Sequence, residues 1–321
     1  MANDKSERKK KLVKKLAVAI ILVILAILGV DIENIIPNET NETQNVQTEV
    51  ETNVQESGEV LEVHMIDVGQ GDAFLLIQDG EAALIDAGEV EEGKTVVDYI
   101  KNLGITRLKY VNVTHPHSDH NGGMTEVITN LETGTIIMPD LKDYKSTKIW
   151  YKKFNNELYN GTHEVEIAKV GNIYNLGDAT IKVLGPINEP EDEPNNYSTI
   201  LKVSYGNMDI IFTGDAEKKV EEDVLAAGAD LDAEILKVGH HGSNTSTHEE
   251  FLDAVDPEYA LIPTGNKYGH PTKSTMENLE ERGIEVYRTD ENGTVVVTIT
   301  HNDISFSCEP GSYLSGDEVN K

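Results

Sequence analysis

The stretch Thr114-His115-Pro116-His117-Ser118-Asp119-His120 places three histidines and an aspartate directly behind the apolar run 110–113. Such a run reads as a strand. Pro116 and the pair Gly122-Gly123 forbid a regular helix through the cluster, so a loop at a strand end is predicted. Alternation turns the imidazoles of His115 and His117 to one side, while Asp119 and His120 offer a carboxylate and a third imidazole to a neighbouring position. Ligands for two adjacent cations are thereby supplied. Imidazole and carboxylate suit zinc, iron or manganese. A surface loop can carry these residues by chance, but supporting segments follow this one in order. The chain has one cysteine, Cys308, which can form neither an internal disulfide nor a thiolate metal site, so histidine and carboxylate must hold any metal.

Downstream, the apolar run 209–212 leads through Thr213-Gly214 to Asp215, which puts this carboxylate at a sheet end, where an oxygen bridge between two cations belongs. A second run, 233–238, ends in Gly239-His240-His241-Gly242, so that one imidazole can complete the second metal's shell. His240 is favoured as that ligand, with His241 facing substrate. Asp67, Asp72 and Asp86 border glycine turns between the early strands. Aspartates commonly cap such turns, and a role in orienting the metal-binding histidines stands beside that one. His270, in Tyr268-Gly269-His270-Pro271, is a candidate to protonate a leaving group or to bind an anionic oxygen. His64, His163, His248 and His301 are read as surface or packing residues. Other chemistries lack their signatures. Gly-x-Ser-x-Gly is absent, and Gly69-Gln70-Gly71-Asp72 lacks the lysine and following helix of a phosphate loop.

From Val60 onward short β-rich runs alternate with helical stretches. Strands are predicted at 61–66, 73–77, 82–85, 110–113, 135–138, 181–184, 199–205, 209–212, 233–238, 259–262 and 294–298, and helices at 94–102, 124–130, 146–158, 217–226, 246–253 and 274–282. Several of these strands are apolar on both faces, which implies sheets covered by helices. At the other end, Lys9-Lys10-Lys11 and Lys14-Lys15 precede an uncharged, almost wholly apolar segment, 16–30, closed by Asp31. As a helix it spans roughly 22 Å against a hydrocarbon core of about 30 Å, and snorkelling lysines extend its reach. An uncleaved signal anchor and a cleavable signal peptide both fit. The absence of a small-x-small cleavage site favours the anchor, which leaves the basic flank in the cytoplasm and everything after it outside. The Asn/Glu/Gln/Thr-rich stretch that follows contains no lysine or arginine and reads as a disordered acidic linker. The expected organisation is a basic flank and membrane segment over 1–30, the linker over 31–58, a folded domain over 59–308 and a flexible tail over 309–321.

The chain carries 27 Lys/Arg against 57 Asp/Glu, a formal charge of −30. Seven of those cations and two of the acids lie in residues 1–15, so the remainder stands at −35. So acidic a surface repels polyanions at long range, which counts against a tight, non-specific nucleic-acid binder. Turnover of nucleic acid at a cationic metal centre is not excluded.

His-x-His-x-Asp-His behind an apolar strand resembles the signature of the metallo-β-lactamase superfamily. The likeness extends to Asp67-Val68-Gly69-Gln70-Gly71-Asp72-Ala73, Leu84-Ile85-Asp86-Ala87-Gly88, Thr213-Gly214-Asp215, Lys237-Val238-Gly239-His240-His241-Gly242-Ser243 and Tyr268-Gly269-His270-Pro271. In that order these blocks resemble the group containing the extracytoplasmic domain of the DNA-uptake channel ComEC. The resemblance implies an α/β fold of the αββα four-layer type, two divalent cations, zinc or manganese, and hydrolysis by an activated water. It assigns the bridging role to Asp215, gives His115 and His117 to one cation, and gives Asp119, His120 and His240 to the other. Catalytic roles are expected of Asp119, His241 and His270. Many members carry a further histidine ligand between the first cluster and the bridging aspartate; this chain has Asn195-Asn196-Tyr197-Ser198 there, as the ComEC-like group is similar to it in having Asn and Ser. Asn195, Asn196 and Ser198 are accordingly expected beside the metals or the substrate, and an amide oxygen is a weaker ligand than imidazole. The reading that follows is a membrane-tethered, outward-facing phosphodiesterase or nuclease. The alternatives are a hydrolase of a lactone, a β-lactam or a phosphorylcholine ester, and a non-catalytic, metal-stabilised module of an envelope assembly.

Overall fold

Phe74 and Phe212 come from different sheets and meet edge to face, ring centroids 5.1 Å apart, inside the core that joins the two halves of the domain. The computed structural model describes residues 60–319 apart from 162, 189–192 and 266. The predicted membrane segment and linker lie outside the described residues; among the latter, no helix is long and apolar enough to cross a membrane.

The first sheet begins with β1 (Leu61–Met65), β2 (Phe74–Gln78), β3 (Glu81–Ile85), β4 (Arg107–Asn112), β5 (Glu132–Met138) and β6 (Glu164–Ile167). The chain then builds a second sheet from β7 (Ile173–Leu176), β8 (Ala179–Gly185), β9 (Ile200–Tyr205), β10 (Met208–Phe212), β11 (Ile235–Lys237), β12 (Tyr259–Ile262) and β13 (Glu285–Arg288). It returns to the first with β14 (Val295–Ile299) and β15 (Ile304–Phe306), giving the orders β15-β14-β1-β2-β3-β4-β5-β6 and β13-β12-β11-β10-β9-β8-β7. Both sheets are mixed. β3 through β6 run parallel, as do β10 through β13, and the other pairs are antiparallel.

Period-two alternation explains the layers. Leu61, Val63 and Met65 of β1, with Phe74 and Leu76 of β2, face the space between the sheets, where Val203, Ile210, Phe212 and Leu261 meet them. Leu75, Leu84 and Val111 point the other way and are covered by Val96 and Ile100 of the helix Gly93–Asn102, Val127 of Met124–Asn130 and Phe154 of Ile149–Asn160. On the far side Ile211, Leu236 and Ala260 are covered by Val220 and Val224 of Lys218–Ala226, Phe251 of Glu249–Val255 and Met276 of Lys273–Glu281. Helices therefore cover the outer faces of two packed sheets. Each fully buried Leu or Phe contributes about 1.5–3 kcal/mol.

Three expectations are corrected. The cluster after β4 is not wholly loop: with His117 extended as its cap, Ser118–Asn121 forms one helical turn, and Gly122 continues in the right-handed region. Residues 309–319 are no flexible tail. Tyr313 packs on the outer core of the second sheet and donates to the Ile284 carbonyl at 2.7 Å, while the buried Arg288 guanidinium donates to the carbonyls of Ser312 and Leu314. Short strands of mixed polarity, β6, β7, β13 and β15, were unread; all four are edge strands, where exposed polar residues break the apolar run.

Candidate metal centre

Parallel strands deliver their following loops to the same sheet end. β4 is followed by His115 to His120, β10 by Asp215, and β11 by His240 and His241. Two groups of ligand atoms form where these loops meet, one of His115, His117 and Asp215, the other of Asp119, His120, Asp215 and His241, each within 4.8 Å. In the first, His115 Nε2 lies 3.2 Å from His117 Nδ1 and 3.8 Å from Asp215 Oδ2. In the second, His120 Nε2 lies 3.1 Å from Asp215 Oδ1, and His241 Nε2 lies 3.4 Å from Asp119 Oδ2 and 3.6 Å from Asp215 Oδ2. Asp215 belongs to both groups, its Oδ1 facing His120 and its Oδ2 facing both His115 and His241.

Hydrogen bonds behind these atoms fix which nitrogens are free to bind. His241 Nδ1 faces the Pro263 carbonyl at 2.9 Å, and His120 Nδ1 faces Asp86 Oδ2 at 2.7 Å. Both partners only accept, so each Nδ1 carries its proton and each Nε2 of a neutral ring presents a lone pair. Those two lone pairs face one another at 3.3 Å, an arrangement that repels unless a positive charge lies between them. Asp215 Oδ1 is buried with no donor aimed at it: the nearby imidazole converges with it on a common point. Charge points the same way. Asp72, Asp86 and Asp215 are almost fully buried and Asp119 largely so, with Lys237 the buried ammonium among them. That much buried negative charge requires further cations. Without a metal, burial alone would lower the pKa of His120, but the carboxylates of Asp215, Asp72 and Asp86 raise it well above the ordinary value, and Asp215 and Asp119 raise that of His241. Burial, reinforced by His120, keeps His115 neutral, while His120 and His241 hold Asp215 ionised against its burial. The donor set fits two divalent cations.

The sequence profile of the Metallo-beta-lactamase superfamily matches residues 66–265, which include every ligand in both groups. The chain belongs to that superfamily. It is 30% identical to ComE operon protein 3 of Bacillus subtilis over 269 residues, 78% of this chain and 34% of that protein. It is likewise 30% identical to Competence protein ComA of Neisseria gonorrhoeae over 233 residues, 71% of this chain and 31% of that one. Ribonuclease Z of Saccharolobus islandicus is 25% identical over 246 residues, 73% of this chain and 75% of its own length. The chain thus spans about a third of the length of the two competence relatives.

Within this superfamily centre, the structure departs from the expected grouping of the histidine pair. His241, not His240, joins Asp119, His120 and Asp215. Both residues adopt left-handed backbone, φ 49° and 54°, and this turn aims His241 inward and leaves His240 at the rim. There His240 Nδ1 lies 3.2 Å from Thr245 Oγ1, and its Nε2 lies 3.6 Å from Asp215 Oδ2. His270 stands beside it, ring centroids 5.4 Å apart; burial, then His240 and His241, pull its pKa down to about 4. Its Nδ1 is buried without a partner.

The three early aspartates separate. Asp86, held at φ 57°, binds Thr114 N at 2.8 Å, Thr114 Oγ1 at 2.6 Å and His120, so it orients the whole loop. Asp72 lies 3.4 Å from His241 Nδ1 and 3.7 Å from His120 Nδ1. Asp67 is corrected to a turn cap: exposed, it accepts from Gly69 N at 3.0 Å and faces none of the histidines. Asn195, Asn196 and Ser198 gather on the Asp215 loop. Ser198 Oγ accepts from Asp215 N at 2.9 Å, Asn196 Oδ1 accepts from Glu217 N at 3.3 Å, and Asn195 Nδ2 donates to Glu217 Oε1 at 3.2 Å. Asn195 Oδ1 is buried with no donor. Lys237 was missed. Fully buried, its ammonium binds Asp72 Oδ2 at 2.7 Å and the Gly214 carbonyl at 2.7 Å. A lysine closing an apolar strand just before two histidines was the signal.

Proposed function

We propose that this chain is a metal-dependent phosphodiesterase or nuclease acting outside the cytoplasmic membrane, tethered there by residues 1–30. The observation that carries the proposal is the pair of ligand groups sharing Asp215. The relatives named for competence and for ribonuclease activity support a nucleic-acid substrate. His115, His117 and Asp215 would hold one cation and Asp119, His120, Asp215 and His241 the other, and zinc and manganese both suit these donors. Cations so held supply Lewis acidity, lowering the pKa of a water toward neutrality and drawing charge from a phosphoryl oxygen.

The chain's own side chains do the rest. Asp86 and the Pro263 carbonyl fix the tautomers of His120 and His241, so their Nε2 atoms stay aimed inward. Lys237 holds Asp72 in place behind both rings. At the rim, His270 is neutral near pH 7 and offers one N–H. Of its two expected roles that favours binding an anionic oxygen over delivering a proton.

The test uses the full chain in a non-ionic detergent, with metal counted by mass spectrometry and bis(p-nitrophenyl) phosphate as substrate. About two metals per chain are expected, with turnover that falls at least about 100-fold in His117→Ala. Less than one metal per chain and no turnover under either zinc or manganese would overturn the proposal.

A further inference from the structure

Residues 142–153 run Lys142-Asp143-Tyr144-Lys145-Ser146-Thr147-Lys148-Ile149-Trp150-Tyr151-Lys152-Lys153. Five lysines and one acid give this segment a formal charge of +4 in a chain of −30. Those five are a quarter of the 20 Lys/Arg that follow residue 15. Elsewhere lysines pair with carboxylates at helical spacing, as Lys94 with Asp98 and Lys219 with Asp223, the ordinary pattern of a solvated helix face. Among the described residues, Lys142 is the one lysine of these five with a carboxylate in reach, Asp140, at 2.8 Å.

The segment also has shape. Lys142, Lys145 and Lys152 line a cleft of about 400 Å³ whose walls include Tyr144, Tyr151 and Tyr159. The three lysines are exposed, and Tyr159 is 67% exposed. Its floor, Met138, ends β5, which runs parallel to β4, so the cleft opens at the sheet end that carries the metal loop. Contact is continuous from there: the Tyr144 and Tyr197 rings lie 6.0 Å apart, and Tyr197 is followed by Ser198, whose hydroxyl holds Asp215 N.

We infer that this cleft is a docking platform for single-stranded nucleic acid, with lysines taking backbone phosphates and Tyr144 and Tyr159 stacking on bases, so that the strand runs on toward the metal centre. The inference rests on the phosphodiesterase reading and extends it to a polymeric substrate. Charge complementarity selects a polyanion, since the patch is basic in a strongly acidic chain. Aromatic walls select a polyanion with flat bases. A duplex would present its bases stacked and out of reach.

Full chain, Lys145→Glu/Lys152→Glu and Tyr159→Ala are compared by fluorescence anisotropy with labelled dT20 across a salt series, and with sodium polyphosphate as competitor. The N-terminal lysines are common to all three and cancel. The double variant is expected to bind dT20 at least tenfold more weakly with a shallower salt slope, and Tyr159→Ala at least fivefold more weakly. Both variants are expected to turn over bis(p-nitrophenyl) phosphate within twofold of the parent, which also shows that they are folded. Unchanged dT20 affinity in the double variant overturns the inference. So does polyphosphate competing as well as dT20 with no effect of Tyr159→Ala, which would assign the cleft to a base-free polyanion. Patch-dependent binding without turnover of the small diester supports the platform while sinking the phosphodiesterase reading; turnover without dT20 binding does the reverse.

Discussion

Lys237 shows how a single side chain is committed to the site. Its ammonium is buried against Asp72, 2.7 Å away, and removing it takes the nearest cation from a buried carboxylate. Lys237→Met is expected to destabilise the domain by about 3–5 kcal/mol, read by urea unfolding, and to weaken metal binding because Asp72 backs His241. Protonation at the histidines is testable in the same way. In the metal-free protein His120 and His241 titrate above the ordinary value of 6.5. Their stabilisation is full below that pH and is lost as pH rises through the folded values, by about 1.4 kcal/mol per pH unit for each retained proton. His115, His240 and His270 are shifted downward and act only below 6.5. The chelated protein should therefore lose stability from pH 7 to pH 9 while the metal-loaded protein does not, so the gap in Tm between them widens with pH. A constant gap would count against the cation-centred reading. Most of the residues that gather into the two groups were legible from residue type and spacing at 115–120 and 215. The choice between His240 and His241 was not, because it depends on two left-handed residues that no periodicity announces.

At the scale of elements, close approach of loops decides the geometry. Gly71, at φ 137°, lies so near the metal loop that a Cβ would stand 2.2 Å from the Asp119 carbonyl, and its neighbour Asp72 donates its N–H to that same oxygen at 3.1 Å. Gly71→Ala is expected to cost about 2–3 kcal/mol in chemical unfolding and to lower metal affinity, since relief of the clash must shift Asp119. Wild-type metal affinity in that variant would show the two loops to be independent. The C-terminal segment gives a second case. Ending the chain after Glu309 removes two carbonyl acceptors from Arg288 and the Tyr313 packing, and about 3 kcal/mol or more of stability should go with them. The long apolar strands were legible because both faces are buried. The segment 309–319 reads as a tail because, Tyr313 apart, Arg288 holds it by backbone carbonyls, which any sequence carries.

Over the whole molecule, charge sets two opposing responses. Small anions meet a body of −35 beyond residue 15, so rising salt should lower the KM for bis(p-nitrophenyl) phosphate modestly by screening. A reporter enzyme that works only outside the cytoplasm, fused after Lys321, should be active if residues 1–30 place the domain there; an inactive fusion would remove that part of the proposal. One pairing has a further consequence. β1 lies between β2 and β14, with Leu61 opposite Ile299, so the first sheet takes a central strand from the start of the domain and its neighbour from the end. Synthesis therefore cannot finish this sheet piecemeal. Until residues 295–299 emerge, β1 is a bare edge and one side of the inter-sheet core lacks Val295, Val297 and Ile299. Folding of the first sheet must wait until the chain has reached Ile299, so the two ends of the domain close it together.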